Sequence, residues 1–229
     1  MPKKILLIGA GGLGSSVIMA LIANPKGAPL GEIVIVDPDQ TELSNLHRQI
    51  IYTMDDIGLS KAERTAKYVS LQRPDLKITP IVKRLQSVEE ITAQAQDAAL
   101  IIDGSDNFIT RFDANDASLQ LGIPLVHGAA IGFRGQLMTV IPGVSACLRC
   151  IFYGPPAGQE ANCRSEGVLG PLVGEVGWLM AIEAIKILFE EGTPISNQLL
   201  TIDANRQRRR TTPLKRRYEC SGCGNINLN

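Results

Sequence analysis

A glycine run near the start of the chain constrains the fold more than any other feature. Residues 4–8, KILLI, form a short apolar run. Gly9-Ala10-Gly11-Gly12-Leu13-Gly14 follows at once and leads into an apolar helical stretch that reaches about residue 24. A second apolar run, EIVIVD at 32–37, ends on Asp37. Strand, GxGxxG turn, helix, strand and terminal acid thus fall in register, and such a unit is expected to be parallel and right-handed. Its glycines permit a tight turn, close approach of backbone to phosphate and close helix packing, and the helix N-terminus then meets the anion. The Asp37 carboxylate can accept both hydroxyls of a ribose. The motif alone does not separate NAD, FAD, SAM and ATP.

The alternation continues. Ser60 and Glu63 form a capping box for a helix over 60–72 that Pro74 closes. A strand over 77–82 and a short helix over 87–96 follow. ALIIDGSDN (99–107) reads as a strand running into a polar turn, then come a helix at about 111–121 and a strand at 124–128. This pattern implies an α/β, Rossmann-like, mostly parallel sheet with helices on both faces. After residue 130 no crossover helix is legible: GFRGQLMTVIPG reads as a strand or hairpin, an antiparallel C-terminal extension. A Gly- and Pro-rich loop over 154–171, an apolar helix over 175–191 and a strand over 198–203 complete the order. At 229 residues, one domain is expected, with a nucleotide-binding half over 1–130 and a second half over 131–229.

Lys+Arg and Asp+Glu are both 23, so a nucleic-acid binder is not indicated. The basic, apolar start could open a signal peptide, but the apolar run gives way to glycines within a few residues. No stretch reaches the roughly 20 apolar residues that span a bilayer. A cytoplasmic protein without membrane contact is expected.

Four of the five cysteines form two CxxC pairs, Cys147 with Cys150 and Cys220 with Cys223. Their knuckle spacing suits a closed tetrahedral site for Zn²⁺ with a structural role, which would pin the C-terminal tail to the body. A redox disulfide, an iron–sulfur cluster and unrelated thiols are the alternatives. Cys163 stands alone beside Arg164, either an inert loop thiol or one with a lowered pKa. The stretch 206–217 holds seven Arg or Lys and no acid. It is either a solvated connector or a dock for an acidic protein.

An NAD oxidoreductase would need a hydride-acceptor site, and neither histidine, His47 or His127, sits in a catalytic arrangement. The other polar groups suit a polyphosphate better: Asn45, Arg48 and Gln49 in SNLHRQ, Lys61 at a helix start, and Asp106 after a strand. DPD (37–39), SNLHRQ (44–49), Lys61 in GLSKAE, DGSDN (103–107) and GAAIGFRGQ (128–136) together resemble the ThiF/MoeB/HesA family, bacterial relatives of the ubiquitin-activating enzymes. CLRC, NCRSEGVLGPLVGEVG and CSGC extend the resemblance over about 5–224, with GFRGQLM and NCRSEGVLGPLVG closer to the ThiF branch.

The resemblance implies adenylation of the C-terminal Gly-Gly carboxylate of a small ubiquitin-like sulfur-carrier protein by ATP·Mg²⁺, before thiocarboxylate formation. It makes 131–229 the carrier-binding half and 154–171 a crossover loop. Arg48 and Lys61 would contact phosphates, and Asn45 and Gln49 would bind phosphate or order the loop. Asp106 would hold Mg²⁺, with Asp39 assisting the metal or orienting Arg48. Gly9, Gly11, Gly12, Gly14 and Asp37 would hold the nucleotide. Asp103 would close a strand end, and Cys163 would handle the activated carrier covalently. A homodimer is implied, as is a sulfurtransferase or cysteine desulfurase as donor, since no rhodanese domain follows residue 229. The N-terminal segment that supplies an arginine to the partner's site in the family is not found before the first strand. Another arginine, from the Arg-rich tail or the crossover loop, is one replacement. A non-catalytic scaffold, the same chemistry on a molybdopterin-type carrier, and adenylation of a peptide remain alternatives.

Overall fold

The computed structural model describes residues 3–23, 30–154 and 167–224. β1 (Lys3–Ile8), α1 (Gly12–Ile22) and β2 (Leu30–Val36) form the first strand–helix–strand unit, and α2 (Lys61–Gln72) leads to β3 (Lys77–Ile81). α3 (Val88–Ala95), β4 (Ala98–Asp103), α4 (Phe108–Leu121) and β5 (Leu125–Ile131) continue the alternation. β6 (Arg134–Val140), a one-turn α5 (Leu148–Ile151), the long α6 (Gly170–Phe189), β7 (Gln198–Asp203) and β8 (Arg208–Pro213) follow. The eight strands form one sheet in the order β3-β2-β1-β4-β5-β6-β7-β8. Pairing is parallel from β3 to β5 and antiparallel from β5 to β8.

Near-continuous apolar runs such as KILLI and ALIID are what a sheet covered on both faces requires. Alternate residues serve alternate faces. Ile5, Leu7, Ile33, Ile35, Leu100 and Ile102 pack with α1, α2 and α6 in one cluster. The residues between them, Leu6, Ile8, Val34, Val36 and Ile101, pack with α3, α4 and α5 in the other. Each such side chain contributes roughly 1.5–3 kcal/mol of burial free energy. Among the described residues, no helix is long and apolar enough to cross a membrane.

Three boundaries differ from expectation, each for a local reason. α4 starts three residues early because Asn107 caps it, its side chain accepting from the Thr110 amide at 2.9 Å. α6 opens at Gly170, inside the expected loop, with Pro171 in the first turn, where a missing N–H leaves no bond unmade. The arginine run expected as a connector is in part a strand: β8 pairs with β7 from Gln198↔Pro213 to Asp203↔Arg208. Charged residues suit such an edge because they oppose sheet-to-sheet association.

Glu183, only 1% exposed, ties α6 to the antiparallel half. It accepts from Thr139 Oγ1 on β6 at 2.9 Å, from the Ile195 amide at 2.6 Å and from Lys186 Nζ at 2.7 Å. Removing the carboxylate strands the buried Thr139 hydroxyl and the part-buried Ile195 amide, so Glu183→Ala is expected to lower stability by about 3 kcal/mol. Denaturant titration checks this. A loss under about 1 kcal/mol would mean the bonds contribute no more than surface contacts.

Candidate functional site

β1 is flanked by β2 on one side and β4 on the other, and the chain leaves these strands toward opposite faces of the sheet. A crevice therefore opens at their carboxyl ends. The Gly9 amide donates to the Val36 carbonyl at 2.8 Å and the Gly104 amide to the Ile8 carbonyl at 2.9 Å, so the three strand ends hold one another. Gly9 has φ +94, and a Cβ on Gly14 would lie 1.9 Å from the Gly9 carbonyl oxygen. Any side chain at Gly14 would push the helix off the turn.

Asp37 is buried at the end of β2. Oδ2 accepts from the Ala10 amide at 2.7 Å and Oδ1 from the Asp39 amide at 2.8 Å. Burial pushes its carboxyl up from the usual range, opposed by the Lys61 charge and the two amides. Each oxygen retains a lone pair for a further donor. Lys61 is nearly buried at the first turn of α2, its Nζ 3.4 Å from Asp39 Oδ2. Arg84 approaches Asp39 from the other side at 3.6 Å. Arg48 is half-buried, its Nη1 donating to the Ser44 carbonyl at 3.1 Å.

Gly9, Gly11, Gly12, Asp37, Asp39, Asn45, Arg48, Gln49, Lys61 and Asp106 all line this one crevice. Gly14 sits beneath it. Gln49 Oε1 and Ser105 Oγ, both in lining residues, are buried without a hydrogen-bond partner. Two orphaned polar atoms in a crevice that also holds Arg48, Lys61, Lys83 and Arg84 fit a polar, anionic ligand. Asp106 is exposed at the rim and offers the hard oxygen donor that Mg²⁺ takes.

Several contributors escaped the sequence reading. Tyr52 is buried, and its hydroxyl donates to the Ala10 carbonyl at 2.6 Å while lying 2.9 Å from Thr65 Oγ1, which fastens the glycine turn to α2. Lys83, Arg84 and Ser105 follow the ends of β3 and β4, and the rule that ligands bind at the carboxyl ends of parallel strands would have found them. Asp103 and His127 are both buried and face each other across β4 and β5, His127 Nδ1 lying 2.8 Å from Asp103 Oδ2. Burial pushes the Asp103 carboxyl up, but the imidazole, Arg111 and the Ser105 amide, which donates to Oδ1 at 3.0 Å, outweigh it and hold it low. This pair fits the strand-end role expected of Asp103.

A second, larger groove of about 1050 Å³ lies on the α4 face of the antiparallel half. Phe108, Phe112, Ile151 and Phe152 give it an apolar side, and it shares Asp106, Arg111 and Ala130 with the crevice. Cys163 and most of the loop 154–171 lie outside the described residues.

The two CxxC pairs come together. Sγ atoms of Cys147, Cys150, Cys220 and Cys223 all lie within 4.8 Å of one another, with Cys147 to Cys220 at 3.6 Å and Cys150 to Cys223 at 3.4 Å. These distances exclude disulfides and approach the roughly 3.8 Å between thiolates around a tetrahedral ion with bonds of about 2.3 Å. Burial and its neighbours push the Cys147 thiol well up. Burial does the same to Cys223, to about 11. Burial also disfavours the Cys220 thiolate, but the Cys223 and Gly222 amides outweigh it and hold the thiol near about 7. Four adjoining thiols that cannot all ionise alone are what a bound cation resolves. Arg149 and Arg217, the latter donating its amide to Cys150 Sγ at 3.4 Å, would offset the charge of such a site.

Fold and site together define a doubly wound α/β protein with a crevice lined by Arg48, Lys61, Lys83 and Arg84 at its switch point and a four-cysteine cluster fastening its tail. The chain belongs to the ThiF family, whose profile matches residues 2–223. It is 39% identical to the SAMP-activating enzyme E1 of Haloferax volcanii, over 98% of this chain and 81% of that one. It is 36% identical to the sulfur carrier protein ThiS adenylyltransferase of Escherichia coli, over 99% of this chain and 88% of that one. Among solved structures, E. coli MccB with ATP superposes with a TM-score of 0.83 at 19% identity. That match covers 97% of this chain and spans 66% of MccB, and it is a likeness of fold.

Metal removal tests the cluster. Protein purified under reducing conditions is expected to carry about one metal ion per chain by elemental analysis, and Cys220→Ser to lose it. A loss of about 3 kcal/mol would lower Tm by roughly 6–12 °C at this chain length. A Tm unchanged on metal loss would contradict a structural role.

Proposed function

We propose that this protein is an ATP-dependent adenylyltransferase acting on the C-terminal carboxylate of a small ubiquitin-like sulfur carrier ending in Gly-Gly. The observation that carries this reading is the junction at Asp106. A crevice built for an anion and a groove roomy enough for a peptide tail meet at that residue. The names of the Haloferax and E. coli relatives support the same chemistry. The second name, with the ThiF-like motifs, favours the thiamine thiazole pathway. The first, a SAMP-activating enzyme by name, supports another carrier handled in the same way.

In this reading a carboxylate oxygen of the carrier attacks the α-phosphorus of ATP, and the bond to pyrophosphate breaks. No base is needed, because the carboxylate is ionised at pH 7. Negative charge grows on the phosphate oxygens and the leaving pyrophosphate. Arg48 and Lys61 meet it, Lys61 being held at the crevice wall by Asp39 until phosphate competes for it. Asp37 takes the ribose with its remaining lone pairs, the glycine turn approaches the phosphates, and Asn45 and Gln49 bind phosphate or order the loop. Mg²⁺, held by Asp106 with help from Asp39, supplies charge compensation when bound. The whole chain then serves as one adenylation domain, 1–130 holding the nucleotide and 131–229 the carrier.

Zn²⁺ is the ion we assign to the four cysteines, because a closed set of four thiolates leaves no open position for catalysis. Reduced thiols of this kind fit a cytoplasmic setting. Leu43, Ile50, Met54 and Trp178 are large, apolar and exposed, which supports a homodimer. Sulfur would come from a separate sulfurtransferase or cysteine desulfurase.

The test is exchange of labelled pyrophosphate into ATP with the Gly-Gly-ended ubiquitin-like proteins of the same genome. Exchange is expected, and Asp106→Ala should lower it at least ~100-fold with the fold intact. Absence of exchange with every such carrier would overturn the reading. Cys163 is assigned to the step after adenylation, since a thiolate attacks an acyl-adenylate but offers nothing to phosphoryl transfer. Cys163→Ala should leave exchange within a few-fold of the parent and abolish any covalent enzyme–carrier species on intact mass analysis. Collapse of exchange with ATP affinity intact would place Cys163 in the first step instead.

A further inference from the structure

The arginines of the C-terminal sheet are sorted by face. In β8, Arg209 points toward α6, where its Nε donates to Glu175 Oε1 at 2.7 Å. Arg208 and Arg210, at alternate positions, face the opposite way and line the large groove with Arg206 and with Arg134 of β6. Strand register puts these side chains in rows. Arg134 pairs with Asp203, which pairs with Arg208, while Gln136 pairs with Thr201, which pairs with Arg210. Asp203 is the one acid among them, and Arg206 already holds it at 3.4 Å. Arg134, Arg208 and Arg210 are exposed and have no ion-pair partner among the described residues. A chain whose formal net charge is zero thus concentrates unpaired cations on one wall of one groove.

Protection of an exposed sheet edge explains charges along β8. It does not explain Arg134, two strands in from that edge, nor why the unpaired arginines share the groove face. We infer that Arg134, Arg208 and Arg210 form a docking rail for an acidic surface of the carrier protein, beside the apolar wall of Phe108, Ile151 and Phe152. The inference rests on the adenylation reading and names the kind of carrier that this chain selects: one acidic beside its tail. Side chains two residues apart on a strand sit about 7 Å apart, and strands about 4.8 Å apart. The rail therefore spans a few ångströms more than the Debye length of about 8 Å at physiological ionic strength. Carboxylates brought into contact with it are attracted while solvent-screened charges farther off are not. A rail of this kind raises the association rate and sets partner choice. A polynucleotide is the less fitting occupant, because the facing wall is apolar.

The test compares Arg208→Glu/Arg210→Glu with Arg209→Glu, the latter reversing a charge on the other face of the same strand. Pyrophosphate exchange is measured with the Gly-Gly-ended carriers of the same genome, and carrier binding is measured without ATP by calorimetry. The groove-face variant should raise the carrier KM and Kd about tenfold or more, with the KM for ATP within twofold of the parent. Arg209→Glu should leave the carrier KM within about twofold, and the parent's Kd should weaken as salt rises. A carrier with its surface acids changed to Asn and Gln should bind the parent as weakly as the intact carrier binds the groove-face variant. Unchanged carrier affinity, equal effects from both faces, or arginine-dependent binding of single-stranded RNA in place of carrier would each overturn the inference. Should the double variant unfold on a thermal melt, the salt dependence and the acid-depleted carrier decide the matter. If the parent binds carriers through the rail but exchanges no pyrophosphate, the adenylation reading fails and the docking inference stands.

Discussion

The Asp37 carboxylate joins the ends of two strands and the turn between them and α1. One oxygen holds the Ala10 amide, the other the Asp39 amide, and both bonds are short. Tyr52 holds the opposite side of the same turn through the Ala10 carbonyl. With the turn fixed from both sides, α1 starts against the Gly9 carbonyl, and only glycine at position 14 leaves room for that contact. The crevice exists because this turn is held in place at the point where the chain leaves β1 and β4 toward opposite faces. A buried carboxylate is stable there only because its donors are already aligned. In the proposed reading these oxygens would be positioned for a ribose before the nucleotide arrives.

The antiparallel half depends on different ties. Glu183 fixes α6 to β6, and the four cysteines bring residues 220–223 back to α5 beside the apolar wall of the groove. α5 carries Cys150 and Ile151, one facing the cluster and the other the groove. A metal at the thiolates would set the position of that wall and, in the proposed reading, would act on carrier binding without touching the carrier. The crevice and the groove meet at Asp106, at the exposed end of the turn after β4. Residues from before and after position 130 thus line two adjoining cavities.

Much of this was legible because the parallel half obeys local rules. KILLI, EIVIVD and ALIID are buried on both faces and can be little else, and the Ser60 and Glu63 cap behaves as its residues require. Gly9, Asp37, Lys61 and Asp106 were legible because each sits at or just past a strand end or at a helix start, whereas Asn45, Arg48 and Gln49 lie in the connection from β2 to α2, which only the SNLHRQ motif marks. What escaped depends on tertiary pairing. β8 contains no apolar pattern, and only the free edge of β7 makes RRRTTP a strand. α5 is a single turn that follows Cys147 and carries Cys150, and its first amide, that of Leu148, is held by the remote Asn115 side chain at 2.9 Å. Tyr52 gives no local signal, because its partners, Ala10 and Thr65, are remote in sequence. The facing of Arg208 and Arg210 could not be read before the register with β7 was known.

The central claim is that the carrier carboxylate attacks the α-phosphorus where crevice and groove meet. Oxygen labelling tests it most directly. A carrier bearing ¹⁸O in its terminal carboxylate is incubated with enzyme, ATP and Mg²⁺, the acyl-adenylate is discharged with hydroxylamine, and the nucleotide products are examined by mass spectrometry. Attack at the α-phosphorus leaves one labelled oxygen in AMP and none in pyrophosphate, which is the result expected here. Unlabelled AMP, or label in inorganic phosphate with ADP as the nucleotide product, would contradict the account.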